Sequence, residues 1–310
     1  MILDAGTRSL VLNREVVYSE TPPIPRNMMV SLANACNHKC VFCYNKKIQA
    51  EEKSWVTMSK SFLSSLLCQA YNLGVREVGF YTVGEPFMSP LLEDAVIRAT
   101  DIGYEYIYLT TNGVLAKPDR TEKLFRSGLH SIKFSVNAGR RETYKLIHGK
   151  DNFDIVLDNI ASTNVIRNTI NPNIGIFASF IECSLNLGEA AMLEGILKEH
   201  IDKLYVFSAE NISGLMYDEL KSGIVAESSV KRCDMLFNRL HVTPEGYLSA
   251  CCADFANMMI VADLNSITIE DAWYNEKFSN LRRQHLEGNL PDNIMCYNCI
   301  NNTNKAVIPI

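Results

Sequence analysis

From residue 27 onward, short apolar runs alternate with longer amphipathic stretches. The runs fall at 28–33, 77–83, 105–111, 131–137, 174–180 and 203–208. Each is rich in Val, Ile, Phe, Tyr or Leu without strict alternation, which predicts strands buried on both faces of a parallel sheet. Amphipathic stretches at 59–73, 91–100, 152–167 and 189–200 predict helices; in the third, Phe153, Val156, Leu157 and Ile160 share one face. Strand–helix units in series imply right-handed parallel crossovers. Six units are too few to close an eight-stranded barrel. The predicted fold class is therefore α/β, a partial (β/α)6 TIM-type barrel, with its site at the C-terminal ends of the strands.

Near residue 212 this rhythm stops. A hairpin is predicted from 240–242 and 247–251 around the turn Thr243-Pro-Glu-Gly246. A helix over 269–286 follows, with Thr268 as N-cap and Asp271 three residues on. The chain then ends in a cysteine-bearing loop. The expected organisation is an extension over residues 1–26 lying across one edge of the barrel, the barrel over 27–212, and a small C-terminal hairpin and helix domain over 213–310.

Composition narrows the function. A chain of 310 residues at 47% hydrophobic can bury a full core. A net charge of -5 and the lack of any Lys/Arg-rich run argue against a nucleic-acid partner. The first residues lack a basic start, apolar stretch and small-residue cleavage site, so no signal peptide is expected. No run of about 18 apolar residues predicts a membrane span. The expected location is the cytoplasm. Ten cysteines, in two tight groups apart from Cys68 and Cys183, then point to metal chemistry rather than disulfides.

The first group reads Cys36-Asn-His-Lys-Cys40-Val-Phe-Cys43-Tyr44, directly after the first predicted strand. Soft thiolates select iron–sulfur clusters, zinc or copper. Three thiolates in one loop can hold a four-iron cube with one iron left open; completed by His38, they could instead make a zinc knuckle. His38 is expected to be a solvent-facing loop residue. The Cys-x3-Cys-x2-Cys spacing, with an aromatic before the last Cys, resembles the radical S-adenosylmethionine (SAM) superfamily. The resemblance implies that the open iron chelates SAM and that one electron cleaves it to methionine and a 5′-deoxyadenosyl radical. It also implies an aromatic side chain near the adenine, for which Tyr44 is the candidate, with Phe42 beside it.

Further matches follow along the barrel. Gly84-Glu85-Pro86 ends the second predicted strand where that superfamily carries Gly-Gly-Glu-Pro, whose backbone binds the methionine amino group; Val83 replaces the first glycine. Thr111 and Asn112 close the third strand in a Thr-Asn-Gly turn. Ser135 and Asn137 end the fourth, at positions that the resemblance assigns to ribose or carboxylate contacts. Ser179 on the fifth strand and Val206 on the sixth are the remaining SAM-binding candidates.

In the second group, Cys233, Cys251, Cys296 and Cys299 offer four thiolates from separate segments, a closed set suited to structural zinc or a fully ligated four-iron cluster. After a radical SAM core this arrangement resembles a SPASM domain or its shortened twitch form, and implies one auxiliary cluster. The implied cofactors are thus two 4Fe-4S clusters and SAM. Cys252 is left over. Strand alternation would point it away from the Cys251 ligand, toward the substrate cavity, where radical SAM epimerases place a cysteine that donates a hydrogen atom. The leading expectation is epimerisation of a sugar, aminoglycoside or peptide, with Cys252 as donor. The alternatives are two-electron dehydrogenation of an alcohol carbon through the auxiliary cluster and, from another class, a zinc-stabilised binding protein. Glu182, Glu210 and Arg239 are possible bases or anchors, with none singled out. The resemblance implies a low-potential electron donor of flavodoxin or ferredoxin type as partner. With 26 residues before the barrel, a small molecule, or a peptide bound without a leader-binding domain, is the expected substrate.

Overall fold

The structure, a computed structural model, describes residues 16–46, 55–211, 214, 216–227 and 231–310. The expected boundary between 212 and 213 and the first fifteen residues of the expected extension lie outside the described residues.

Strand and helix alternate in the described residues as β1 (Asn27–Val30), α1 (Lys60–Asn72), β2 (Glu77–Phe80), α2 (Leu92–Ile102), β3 (Tyr106–Thr111), α3 (Pro118–Arg126) and β4 (Ser131–Ser135). They continue as α4 (Arg141–His148), α5 (Phe153–Ile170), β5 (Gly175–Glu182), α6 (Ala190–Leu197) and β6 (Lys203–Ser208). Short helices α7 (Tyr217–Lys221) and α8 (Met235–Asn238) lead to β7 (Arg239–Val242), β8 (Tyr247–Ser249) and β9 (Ile260–Asp263). Helices α9 (Ile269–Trp273), α10 (Glu276–Glu287) and α11 (Met295–Asn301) close the order.

All nine strands join one sheet in the order β6-β5-β4-β3-β2-β1-β7-β8-β9. Strands β1 to β6 are parallel, as their apolar runs predict, and β7 adds to β1 in parallel before β8 and β9 run antiparallel. The C-terminal hairpin therefore extends the barrel wall instead of standing apart from it. Side chains alternate between two faces. Met28, Val30, Val78, Phe80, Ile107, Leu109, Ile132 and Phe134 are buried against the helices. Each such residue contributes roughly 1.5–3 kcal/mol on burial. The alternate residues, among them Met29, Tyr106 and Tyr108, line the inner wall. Gly79 makes room there, since a Cβ at that position would sit 2.6 Å from the Tyr108 ring.

Several elements depart from expectation. The helix expected over 269–286 is two helices, because the Asn275 side chain accepts from Phe278 N (2.7 Å) and starts a second one. The terminal cysteine loop is partly the helix α11, and β9 was not expected. Residues 18–22 lie against the C-terminal elements: Trp273 Nε1 donates to Pro22 O (2.8 Å), Arg282 Nη1 to Glu20 O (3.2 Å) and Tyr18 Oη to Asp234 (2.8 Å). No helix among the described residues is long and apolar enough to cross a membrane.

Candidate active site

The first cysteine loop begins just after β1, at the C-terminal end of the sheet, and is held from below by α4. Lys39 N donates to His148 O (3.1 Å) and Val41 N to Ile147 O (2.9 Å), while Cys43 N turns back onto Cys40 O (3.1 Å). The Cys36, Cys40 and Cys43 thiols lie close enough for their charges to repel one another. Burial pushes Cys36 up to about 12 and Cys40 and Cys43 above the ordinary thiol range. Thiolates therefore persist here only when a bound cation offsets desolvation. Three soft donors converging from one loop fit a four-iron cluster with one iron open to a further ligand.

His38 does not face solvent as expected. It is 2% exposed and packs against His148 (centroids 4.9 Å apart) and Tyr144 (5.9 Å). His148, which the sequence did not single out, places Nδ1 3.1 Å from Cys40 Sγ and donates through Nε2 to Val136 O (2.8 Å). Ligand atoms of His38, Cys40 and His148 all lie within 4.8 Å of one another. Burial holds both imidazoles neutral, pushing His38 down to about 4 and His148 to about 3.

The ends of β2 and β3 form the adjoining wall. Gly84 has φ +81°, and a Cβ there would lie 2.4 Å from Ala33 O and 2.7 Å from Ala35 O. Only glycine lets this turn approach the cysteine loop so closely. Glu85, at 2% exposure, is spent on the protein. It accepts from Thr111 Oγ1 (2.6 Å), Asn112 N (2.7 Å) and Phe87 N (3.2 Å), and its own N donates to Ala35 O (2.7 Å). Burial raises its carboxyl to about 7 despite those bonds. Pro86 begins a short 3-10 turn behind it. Thr111 also accepts from Gly113 N (3.0 Å), so its hydroxyl closes the turn. Asn112 reaches the cysteines: Nδ2 donates to Asn37 Oδ1 (2.6 Å) and lies 3.9 Å from Cys36 Sγ.

On β4 and β5, Ser179 Oγ meets Ser135 Oγ at 3.4 Å. Asn137, with φ +58°, uses Oδ1 to accept from Ile181 N (2.8 Å). Backbone in this sparsely populated region concentrates at binding sites. The register Phe180↔Val206 puts Val206 on the face of the buried Phe180, opposite to Ser179, so the structure does not bring it to this group. A cavity of about 410 Å³ opens instead beside Phe42, Ile181, Phe207, Ala209 and Glu210. Phe42, the aromatic before the last cysteine, lines it, whereas Tyr44 packs 6.2 Å from the Phe255 ring.

The C-terminal thiols converge from three segments, Cys296 and Cys299 sharing α11. Cys233 feels Cys251 and Cys299, and Cys296 feels Cys251, Cys233 and Cys299, with burial pushing Cys233 up to about 12 and Cys296 well above the ordinary thiol range. Cys251 follows β8; its N donates to Ser249 Oγ (3.2 Å), and Asp254 accepts from Ser249 Oγ (3.0 Å), Met258 N (2.7 Å) and Met259 N (2.8 Å) to fix the loop. Four thiols in closed array fit a fully ligated metal group. Cys252 departs from the alternation argument, because β8 ends at Ser249. Its thiol hydrogen-bonds with the Cys251 side chain and also feels the charge of Arg239 on the inner wall.

Comparison with known proteins matches two family models to the segments that carry these two groups of cysteines. The family model of the radical SAM superfamily matches residues 30–169, and that of an iron–sulfur cluster-binding domain, SPASM, matches residues 233–300. A probable GTP 3′,8-cyclase of Saccharolobus solfataricus is 28% identical over 257 residues, covering 78% of this chain and 79% of that protein. A GTP 3′,8-cyclase of Limosilactobacillus fermentum is 26% identical over 277 residues, covering 76% and 81%. Among solved structures, BtrN in complex with AdoMet and 2-DOIA is similar in fold, at 20% identity, 85% and 87% coverage and a TM-score of 0.56. Streptococcus suis SuiB bound to the precursor peptide SuiA superposes with a TM-score of 0.67 at 14% identity, covering 89% and 69%.

Proposed function

We propose, for a chain that belongs to the radical SAM superfamily and carries a C-terminal iron–sulfur domain, that it inverts a carbon centre with Cys252 as hydrogen-atom donor. Cys36, Cys40 and Cys43 would hold one 4Fe-4S cluster, and Cys233, Cys251, Cys296 and Cys299 a second. Bound together, the first cluster and SAM supply a 5′-deoxyadenosyl radical when one electron enters from a flavodoxin- or ferredoxin-type donor. Gly84 and Pro86 shape the turn that receives the methionine end, Asn112 braces Cys36, and Phe42 with Ile181 offers an apolar wall for the adenine. Ser135 and Ser179 present hydroxyls on the same inner wall.

The carrying observation is the place of Cys252. Its thiol hydrogen-bonds with the Cys251 side chain and lies near enough to the inner-wall Arg239 to feel its charge. A substrate carbon that has lost a hydrogen atom to the adenosyl radical can take one from the Cys252 S–H on its opposite face. One C–H bond forms and one S–H bond breaks. The resulting thiyl regains one electron, from the same external donor, and one proton. A positioned, water-poor site is what such a step requires.

The test is turnover in deuterated water with SAM and reductant, over a panel of amino sugars, short peptides and GTP, read by mass spectrometry. The expected product keeps the substrate's composition but gains one solvent deuterium, and Cys252→Ala does not form it. A product two hydrogens lighter supports dehydrogenation instead. A cyclised GTP product supports the activity named for the relatives. Undiminished inversion by Cys252→Ala sinks the donor role.

A further inference from the structure

The inner face of β7 carries polar groups that the proposed reaction leaves unassigned. Arg239 and His241 lie two residues apart, paired with Asn27 and Met29 of β1, so both side chains enter the barrel from one face. The Arg239 guanidinium lies among Tyr108, Tyr81, Cys252 and Glu77. Among the described residues its hydrogen-bond acceptor is the Met29 thioether, at 3.6 Å. A guanidinium has five donors. Glu77 is engaged by Asn27, whose Nδ2 donates to it (3.1 Å) while Oδ1 accepts from Tyr108 Oη (3.0 Å). His241 is 4% exposed, and neither of its ring nitrogens has a partner. Burial and the charge of Arg239 push it down to about 3, so its ring is neutral and free to donate or accept. Buried polar groups are normally satisfied, and the nearby Glu77 offsets the charge of Arg239 without occupying its N–H donors.

We propose that Arg239, with His241 beside it, binds an acidic group of the substrate, a carboxylate or a phosphate, on the inner wall of the barrel. The reacting carbon then lies close to that group and beside Cys252, which deepens the epimerase reading and rests on it for the role of Cys252. Among the substrate classes expected from sequence, this wall favours an acidic compound or a peptide carboxylate and disfavours an amine-rich aminoglycoside.

The experiment is a thermal-shift titration of the reconstituted, SAM-bound enzyme with inorganic pyrophosphate and with malonate, for wild type, Arg239→Lys and Arg239→Gln. A saturable rise in the wild-type midpoint with at least one anion is expected, weakened about tenfold or more in Arg239→Gln and less in Arg239→Lys, which keeps charge but not the bidentate fork. A response to pyrophosphate alone assigns a phosphate, and one to malonate alone a carboxylate. Iron content verifies that each variant is loaded; if Arg239→Gln does not load, Arg239→Lys and the wild-type titration decide. No saturable response in wild type, or equal response in wild type and the variants, overturns the proposal. The titration needs no turnover, so anion binding without deuterium incorporation would leave Arg239 standing and sink only the donor role of Cys252.

Discussion

At the scale of single residues, Gly84 shows how much of the site rests on backbone geometry. Its φ of +81° and the 2.4 Å approach that a Cβ would make to Ala33 O leave no place for a side chain. Gly84→Ala should destabilise the protein by more than about 1 kcal/mol, because alanine is strained in that conformation. It should also weaken SAM binding at least about tenfold, measured by calorimetric titration, since the turn must move off the cysteine loop; unchanged affinity would show that the turn takes no part. Glu85 illustrates the reverse lesson. Its place in the Gly-Glu-Pro motif was legible, yet its carboxylate is consumed by Thr111, Asn112 and Phe87, so it positions the wall and does not itself face the cavity. The partnership of Cys40 with His148 had no signal in the sequence, because it joins positions 108 residues apart.

At the scale of elements, α10 carries a pH-sensitive group well away from the thiols of α11 in sequence. His285 is 6% exposed with neither ring nitrogen partnered, and burial pushes it from 6.5 down to about 4. Below pH 6.5 the unfolded chain therefore binds a proton there that the folded chain refuses. Stability from this residue is present above pH 6.5 and is lost as pH falls toward 4, at about 1.4 kcal/mol per unit. Between pH 7 and 5, His285→Leu should lose about 2 kcal/mol less than wild type in denaturant unfolding. Equal losses would contradict this. Glu85 works in the opposite sense, since its folded value near 7 exceeds the ordinary 4.5 and favours the protonated form, but it cancels in the comparison.

The parallel strands were legible because buried β-runs are continuous and apolar. Helix α3, Pro118–Arg126, was not, because only Thr121, Leu124 and Phe125 of its nine residues are buried and all the others except Pro118 are charged. Helix α4 hid in the same way behind Tyr144, Ile147 and His148.

At the scale of the whole molecule, the fold places two thiol sets on one continuous sheet. Strand β7 pairs with β1, which directly precedes the first cysteine loop, and β8 delivers Cys251 and Cys252 beside that same wall. Spacing alone revealed both thiol sets, since ligands close in sequence need little tertiary information. What spacing could not reveal was the joining of hairpin to barrel, which rests on a pairing between residues more than 200 apart. For that reason Arg239 stood among several possible anchors in the sequence and becomes an inner-wall residue only in the folded chain. Likewise, strand alternation would separate Cys252 from Cys251 only in a strand reaching residue 251, whereas β8 stops at Ser249 and the turn keeps the two thiols together.

The most direct measurement is iron and acid-labile sulfide per chain after anaerobic reconstitution, for wild type and for Cys36, Cys40 and Cys43 replaced together by alanine. About eight irons falling to about four is the predicted result, since each set would hold its own four-iron cluster. About four falling to none would contradict it, leaving the C-terminal thiols without an iron–sulfur cluster.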